Sequence, residues 1–531
     1  MSMGITAAFA AAETGTIEIT SPKTDPNADN TYYDAYRIFD IPTHGAVKDG
    51  VYDSFAYSIS TKWANFFATD APGAAYLADE NNAQGTLNSV TVGEATKYIN
   101  ITDSNVAAFA KAAFEYAQLN NITADKTETV AKNATTVKFT DLPLGYYMVY
   151  PRGASVQSGS YTSIVSLTST SPDGKIAQKA EYPKLTKVAD DISTEVGQKV
   201  TYTLGSKVPD TTGYTKYEFT FKDKTSAGLT YDGNNSVKVT IGGTELATTD
   251  YTFAASPSDG NDFELTINLL KDGTGADAGK KVAKYTYNDE IVITYTATVN
   301  EAAVTKIDEN HATLTYNNNP KDENSKDTTP PVEVKTYSAK IVINKVDGSN
   351  TATKLDGAKF VLRVKTVGTA TGDSHETDIA AGKYYKYTAA TAASGTEGEA
   401  GYTPAAPADV SWVTVTSEEA KDLAKDKTIT VVTTTNGVAQ FDGLEDGVYE
   451  LIEVEAPAGY NLLTSPIEVT IAGNDADETT LTAEKTVENN SGAQLPSTGG
   501  IGTTIFYVVG SIMVVAAGVL LITKKRMSRE G

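Results

Sequence analysis

Three runs of this chain carry a lysine, a carboxylate and an asparagine at positions where a β-strand would turn them toward a core. A strand puts residues i, i+2 and i+4 on one face. By that ruler Ile341, Ile343 and Lys345 share a face, Tyr449, Leu451 and Glu453 share another, and Val487 and Asn489 a third. A buried charge is costly unless it is paired or neutralised. Burial lowers a lysine's pKa and raises a glutamate's. The pair is thereby pushed toward a neutral amine, which is a nucleophile, and a protonated acid, which can polarise a carboxamide carbonyl. The product would be an amide between Lys345 and Asn489, with ammonia lost. The residues alone leave a second arrangement equally open: a buried Lys345–Glu453 ion pair with Asn489 as hydrogen-bond partner.

A second set lies upstream. Phe219, Phe221 and Asp223 are in phase within EFTFKDKTSAGLTY. Asn310, Ala312, Leu314 and Tyr316 are in phase within NHATLTY, and Asn317 is out of phase. The stretch AEYPKLTK, residues 180–187, holds two lysines, Lys184 and Lys187, an odd number of residues apart. In extended chain they point to opposite faces. Leu185 and Lys187 are expected inward, Lys184 and Thr186 outward. Pro183 removes a backbone donor, which suits an edge or boundary.

Composition narrows the chemistry further. A formal charge of −23 argues against a nucleic-acid partner, which needs basic surface. With no cysteine, disulfides, thiolate metal sites and thiol nucleophiles are excluded. The three histidines, His44, His311 and His375, are scattered, so no metal is expected. No Gly-rich phosphate loop, HExxH or GxSxG occurs, and no cofactor or enzymatic activity is expected. A Lys–Asn amide would be a single self-modification.

The elements that must position these residues are mostly strands, as the abundance of Thr, Tyr and Val suggests. The 531 residues suggest three or four domains. A first unit, 13–180, opens with TIEIT and closes with GYYMVY, around a helix over Ser104–Leu119 with Ser104 as its cap. It has in-phase Ile17, Ile19 and Lys23 but no acid on GYYMVYP, so no cross-link is expected there. A second unit, 181–335, has strand-like runs separated by turn signals such as DGNN and DGTG. This pattern suggests an immunoglobulin-like antiparallel sandwich. The polar stretch 317–331 reads as a linker. A third unit, 336–490, alternates through KIVINKVD, KFVLRV, TITVVTT, GVYELIEVE and PIEVTI. A Gly/Ala/Thr-rich insertion at 366–411 is expected to form an exposed loop or extra hairpin.

At the two ends the chain changes character. Residues 1–12 read as the tail of a signal peptide, with small residues around a cleavage region. Residues 491–531 hold QLPSTGG, an uncharged run at 505–522, and then Lys524, Lys525 and Arg526. Eighteen apolar residues at about 1.5 Å each suffice for a transmembrane helix, with the basic tail cytoplasmic.

Leu495, Pro496, Ser497, Thr498 and Gly499, with the apolar run and basic tail, resemble the LPxTG sorting signal of Gram-positive wall proteins. The resemblance implies cleavage between Thr498 and Gly499 by a sortase and transfer of the Thr498 carbonyl to an amine. YELIEVEAPAGY, residues 449–460, is similar to the E-box of Gram-positive pilins. There the glutamate, here Glu453, promotes a Lys–Asn isopeptide bond in a Cna-B-type domain. Val454 stands where that family usually has Thr. Lys345-Val346-Asp347 and Val487–Asn489 also match.

For the second unit the resemblance makes Lys187 the matching lysine. It implies a Lys187–Asn310 bond promoted by Asp223. Tyr182-Pro183-Lys184 resembles the pilin motif, whose lysine attacks the neighbour's threonine. VYPRG at 149–153 carries Arg152, which cannot serve as that nucleophile.

The implied architecture is mainly β, with tandem Cna-A/Cna-B-type sandwiches, the first holding a helical insertion. The implied function is the major subunit of a covalently polymerised, cell-wall-anchored pilus supporting adhesion. Its expected partners are a pilus-specific sortase, identical subunits, minor pilins and peptidoglycan. The alternative is a wall-anchored adhesin or a tip or base pilin that binds a host ligand.

Overall fold

The computed structural model describes residues 13–492, apart from 154–163, 178–180, 368–380, 395–402, 417–421 and scattered single positions, together with a helix at 501–527. The segment 1–12, Lys23 and the sorting motif Leu495–Gly499 lie outside the described residues. The chain divides into two compact units near Tyr337/Ser338.

In the first unit, Thr14–Thr20 lies between Thr136–Pro143, antiparallel, and Asp173–Ala177, parallel. A second sheet runs Ile164–Leu167, Gly145–Pro151, Asn30–His44, Phe55–Ile59, with Lys126–Ala131 also paired to Asn30–His44. Ile17, Ile19, Phe139, Tyr147 and Val149 form one core cluster. Met148 and Tyr150, on the other face of the same strand, pack with Phe109, Ala113 and Phe114 of the helix Val106–Leu119. GYYMVYP is apolar at nearly every position because both faces of this strand are covered. The helix starts two residues later than expected. Asn105, not Ser104, precedes its first turn. Asn105 Oδ1 accepts from Thr102 N–H at 2.7 Å, and Ser104 is paired instead with the Thr102 hydroxyl.

The same unit contains a sandwich built from residues 186–337. One sheet runs Thr186–Ala189, Lys199–Lys207, Glu290–Val299, Lys238–Ile241, Thr244–Glu245. The facing sheet runs Tyr251–Ala255, Phe263–Asn268, Glu218–Thr225, Ile307–Asn317, Lys326–Thr328. Tyr202, Leu204, Ile291 and Ile293 meet Phe219, Phe221, Leu265 and Leu314 between them. The expected linker at 317–331 is therefore part of this sandwich. Lys326–Thr328 and Val332–Tyr337 both pair with Ile307–Asn317. Fully buried Asn317 accepts from Glu218 N–H at 2.9 Å and donates to Glu323 O at 2.8 Å. The polar residues there hold a turn in place.

In the second unit, Ala339–Asp347 is the central strand of a sheet. Val438–Leu444 flanks it antiparallel and Thr482–Asn489 flanks it parallel. The other sheet runs Asp409–Val413, Tyr384–Thr388, Lys359–Val367, Gly447–Glu455, Ile467–Ile471. The described part of the 366–411 insertion is thus an extra hairpin, Tyr384–Thr388 with Asp409–Val413. Of the expected strand TITVVTT, only Val432–Thr433 pairs among the described residues. A helix spans Ile501–Met527, yet among the described residues no helix is long and apolar enough to cross a membrane. The expected span at 505–522 is therefore not supported, and the side chains of 505–507 and 520–521 lie outside those described.

Candidate functional site

Lys187 lies on the edge strand Thr186–Ala189, opposite Leu204. Alternation there buries Leu185 and Lys187 and exposes Lys184, Thr186 and Val188. Asp223 follows Phe219 and Phe221 on the inner face of Glu218–Thr225, and Asn310 comes from the neighbouring strand Ile307–Asn317. The three meet in the core. Lys187 Nζ donates to Asp223 Oδ2 at 2.5 Å and to Asn310 Oδ1 at 2.6 Å. The lysine and aspartate side chains are fully buried. Tyr295 completes the group: its hydroxyl accepts from Lys187 Nζ at 2.8 Å and from Asn310 Nδ2 at 2.9 Å.

Burial pulls the Lys187 amine below its usual range, with Asp223 opposing. Burial likewise pushes the Asp223 carboxyl up against the pull of Lys187. Both shifts favour the neutral amine and carboxylic acid over the ion pair, relative to the same groups in water. The amine already touches the carboxamide it would attack, which is the positional advantage of an intramolecular reaction. Out-of-phase Asn317 is committed to its turn.

The second site is assembled by the parallel pairing of Ala339–Asp347 with Thr482–Asn489, which sets Lys345 opposite Val487 and Asp347 opposite Asn489. Lys345 is fully buried, Asn489 and Glu453 nearly so. Here the acid touches the amide: Asn489 Nδ2 donates to Glu453 Oε2 at 2.9 Å and to Asn461 O at 2.8 Å. Lys345 Nζ donates to Val487 O at 3.0 Å. Among the described residues, Asn489 Oδ1 and Glu453 Oε1 are buried without hydrogen-bond partners. Val454 sits on the other side of its strand, packed with Val361, Tyr384 and Ile429. Replacing the family's Thr there leaves the Glu453 face untouched.

Burial lowers the Lys345 pKa to about 8, with Glu453, Glu488 and Asp347 opposing. A lysine depressed in the folded state makes unfolding take up a proton between the two values. Its penalty is complete below about 8 and vanishes above the unfolded value of 10.5. In an Asn489→Ala chain, which cannot form the amide, stability of this unit should therefore rise between those pH values, by up to roughly 3 kcal/mol. Urea midpoints at the two ends of the window, each referenced to the same chain carrying Lys345→Met so that tyrosine ionisation cancels, measure it, and a flat or falling difference would refute a neutral core amine.

Lys184 lies outside both cores. It borders a groove of about 510 Å³ together with Tyr182, Pro183, Lys207, Pro209 and Tyr287. Its carbonyl accepts from the Ser206 hydroxyl at 2.8 Å, and among the described residues its ammonium has no ion-pair partner. Arg152 of VYPRG is instead bound bidentately to buried Asp34, at 2.8 and 2.7 Å. Tyr295 escaped the sequence reading. Its available signal was a phenol in phase with Ile291, Ile293 and Ala297, since a buried phenol needs a polar partner.

Residues 408–487 match the SpaA prealbumin-like fold domain, and 487–528 match the LPXTG cell wall anchor motif. The chain is 24% identical over 374 residues to fimbrial subunit type 1 of Actinomyces viscosus, spanning 65% of each protein's length. It is similar to the full-length major pilin SpaD of Corynebacterium diphtheriae at 19% identity, covering 90% of this chain and 98% of that one, with a TM-score of 0.45. It is also similar to the group B streptococcus pilus 2b backbone protein at 26% identity, covering 59% and 99%, with a TM-score of 0.40.

Proposed function

We propose that this secreted, cell-wall-anchored protein is the shaft subunit of a covalently polymerised pilus. In this reading Lys184 of one subunit attacks the Thr498 carbonyl of the next. The Thr498–Gly499 peptide bond breaks, an amide forms, and a sortase carries the acyl group between them. Head-to-tail joining of one patch to a different patch generates an open filament. Minor pilins and peptidoglycan would terminate it. Within each subunit three sandwich domains follow one another along the sequence, 13–180, 181–335 and 336–490. The last two are closed by Lys187–Asn310 and Lys345–Asn489 amides, each formed with loss of one ammonia.

The observation that carries the reading is the split of two lysines three residues apart. Lys184 is exposed beside a groove, whereas Lys187 is buried against Asp223 and Asn310. One is free for another molecule, and the other is committed to its own domain. Tryptic mass spectrometry of surface polymers tests it. A branched peptide joining Lys184 to a segment ending at Thr498 is expected. Polymers linked through any other lysine would overturn it.

A further inference from the structure

The two cross-link sites place their acids differently. At the Lys345 site, Glu453 contacts the nitrogen that must leave, Asn489 Nδ2, at 2.9 Å. At the Lys187 site the acid is aspartate, one methylene shorter. Asp223 Oδ2 reaches the attacking amine at 2.5 Å, the carboxylate also interacts with the Tyr295 hydroxyl, and among the described residues it makes no hydrogen bond to Asn310. The leaving nitrogen there is held by Tyr295 at 2.9 Å, and the same phenol oxygen lies 2.8 Å from Lys187 Nζ. One hydroxyl touches both nitrogens between which a proton has to pass.

Proton bookkeeping shows why that matters. Asp223 first takes a proton from the Lys187 ammonium and keeps it. As Nζ bonds to Asn310 Cγ, the attacking nitrogen carries one hydrogen too many. Nδ2 needs one more to depart as ammonia with the electron pair of the broken Cγ–Nδ2 bond. We propose that Tyr295 is a catalytic residue of the Lys187–Asn310 cross-link. Its hydroxyl takes the proton shed by the attacking amine while giving its own to the departing nitrogen. The phenol ends unchanged, so no further reactant is required.

The fold holds this hydroxyl still. Tyr295 is fully buried, stacks on Tyr202 at 5.5 Å and meets Phe263 edge-on at 5.1 Å. Burial raises its phenol well above the ordinary range, chiefly by desolvation. A free phenolate is thereby disfavoured, and a relay that takes and gives together needs none. A preorganised donor in a dry site costs no reorganisation during the reaction.

The inference rests on the cross-link reading above, and the test separates the two. Full chains, wild type and Tyr295→Phe, are made by cell-free synthesis, and the 187–310 and 345–489 links are scored separately by mass spectrometry over time. The relay predicts that Tyr295→Phe slows the 187–310 link by about a hundredfold, with the 345–489 link unchanged as internal control. Equal rates for the 187–310 link in the two chains would overturn the relay. Absence of that link from the wild type would overturn the reading beneath it. Should the variant fail to fold by circular dichroism, wild-type synthesis in D₂O decides: slowing of the 187–310 link well beyond that of the 345–489 link supports the relay, and equal slowing of the two refutes it.

Discussion

Replacing Lys184 by alanine is expected to erase the high-mass ladder of covalent polymers from the cell surface, leaving the subunit as wall-bound monomer. The loss should be complete, because it removes the nucleophile itself. Lys184→Arg should do the same. Guanidinium keeps the charge and much of the length but stays protonated and is no nucleophile at neutral pH. Lys207 lines the same groove and supplies the control. Lys207→Ala removes a neighbouring positive charge and should leave the ladder in place. Immunoblots of wall extracts read all three. A ladder that survives Lys184→Ala would end the shaft reading with this lysine, and the protein would fall back to a wall-anchored monomeric binder. Both internal amides should persist in that variant, since Lys187 faces the other way and its partners Asp223, Asn310 and Tyr295 are untouched.

The second large effect is expected from Glu453→Ala. Wild-type protein should weigh less than its sequence by one ammonia for each internal amide, and the variant should regain one of them. The amide it lacks would close a 145-residue ring between Lys345 and Asn489. The chain-entropy model for a cross-link values that restraint at about 5 kcal/mol at 25 °C. For a domain of this size, that corresponds to a fall of roughly 10–20 °C in its unfolding midpoint. Asn489 would also lose its bond to Glu453 and retain only the Asn461 carbonyl. A wild-type ectodomain at its full theoretical mass would sink both amides at once. A Glu453→Ala chain that still lacks the ammonia would show that the acid is dispensable. The mechanical consequence follows from strand order. Ala339–Asp347 and Thr482–Asn489 are the first and last main strands of their sandwich and lie side by side. A pull applied at its two ends would load the amide before the core.

Much of the candidate site was legible because strands have a period of two. The inward aim of Lys345, Glu453, Asn489, Lys187, Asp223 and Asn310 is a matter of counting alternate residues from an apolar neighbour. Burial in the structure follows that count at all six positions. The opposed faces of Lys184 and Lys187 follow from the same parity. Where the reading went astray, polarity stood in for geometry. Residues 317–331 look like a solvated linker, yet buried Asn317 ties them into a sheet. The stretch 428–434 looks like a strand and pairs only at Val432–Thr433. Ser104 looks like a helix cap, and a local turn built by Asn105 displaces it.

By itself, the sequence determined which side chains face inward, which lysine is left outside, and that the chain carries a wall-anchor motif. These depend on local alternation and contiguous motifs, which need no knowledge of the rest of the fold. Only the tertiary structure decided which group touches which across the core. It set Asp223 against the Lys187 amine but Glu453 against the Asn489 amide nitrogen, turned Lys345 toward Val487 O, and brought Tyr295 between Lys187 and Asn310. Those pairings depend on sheet register and on the facing of two sheets. One methylene or one register step changes them, and neither is written in the periodicity of any single strand.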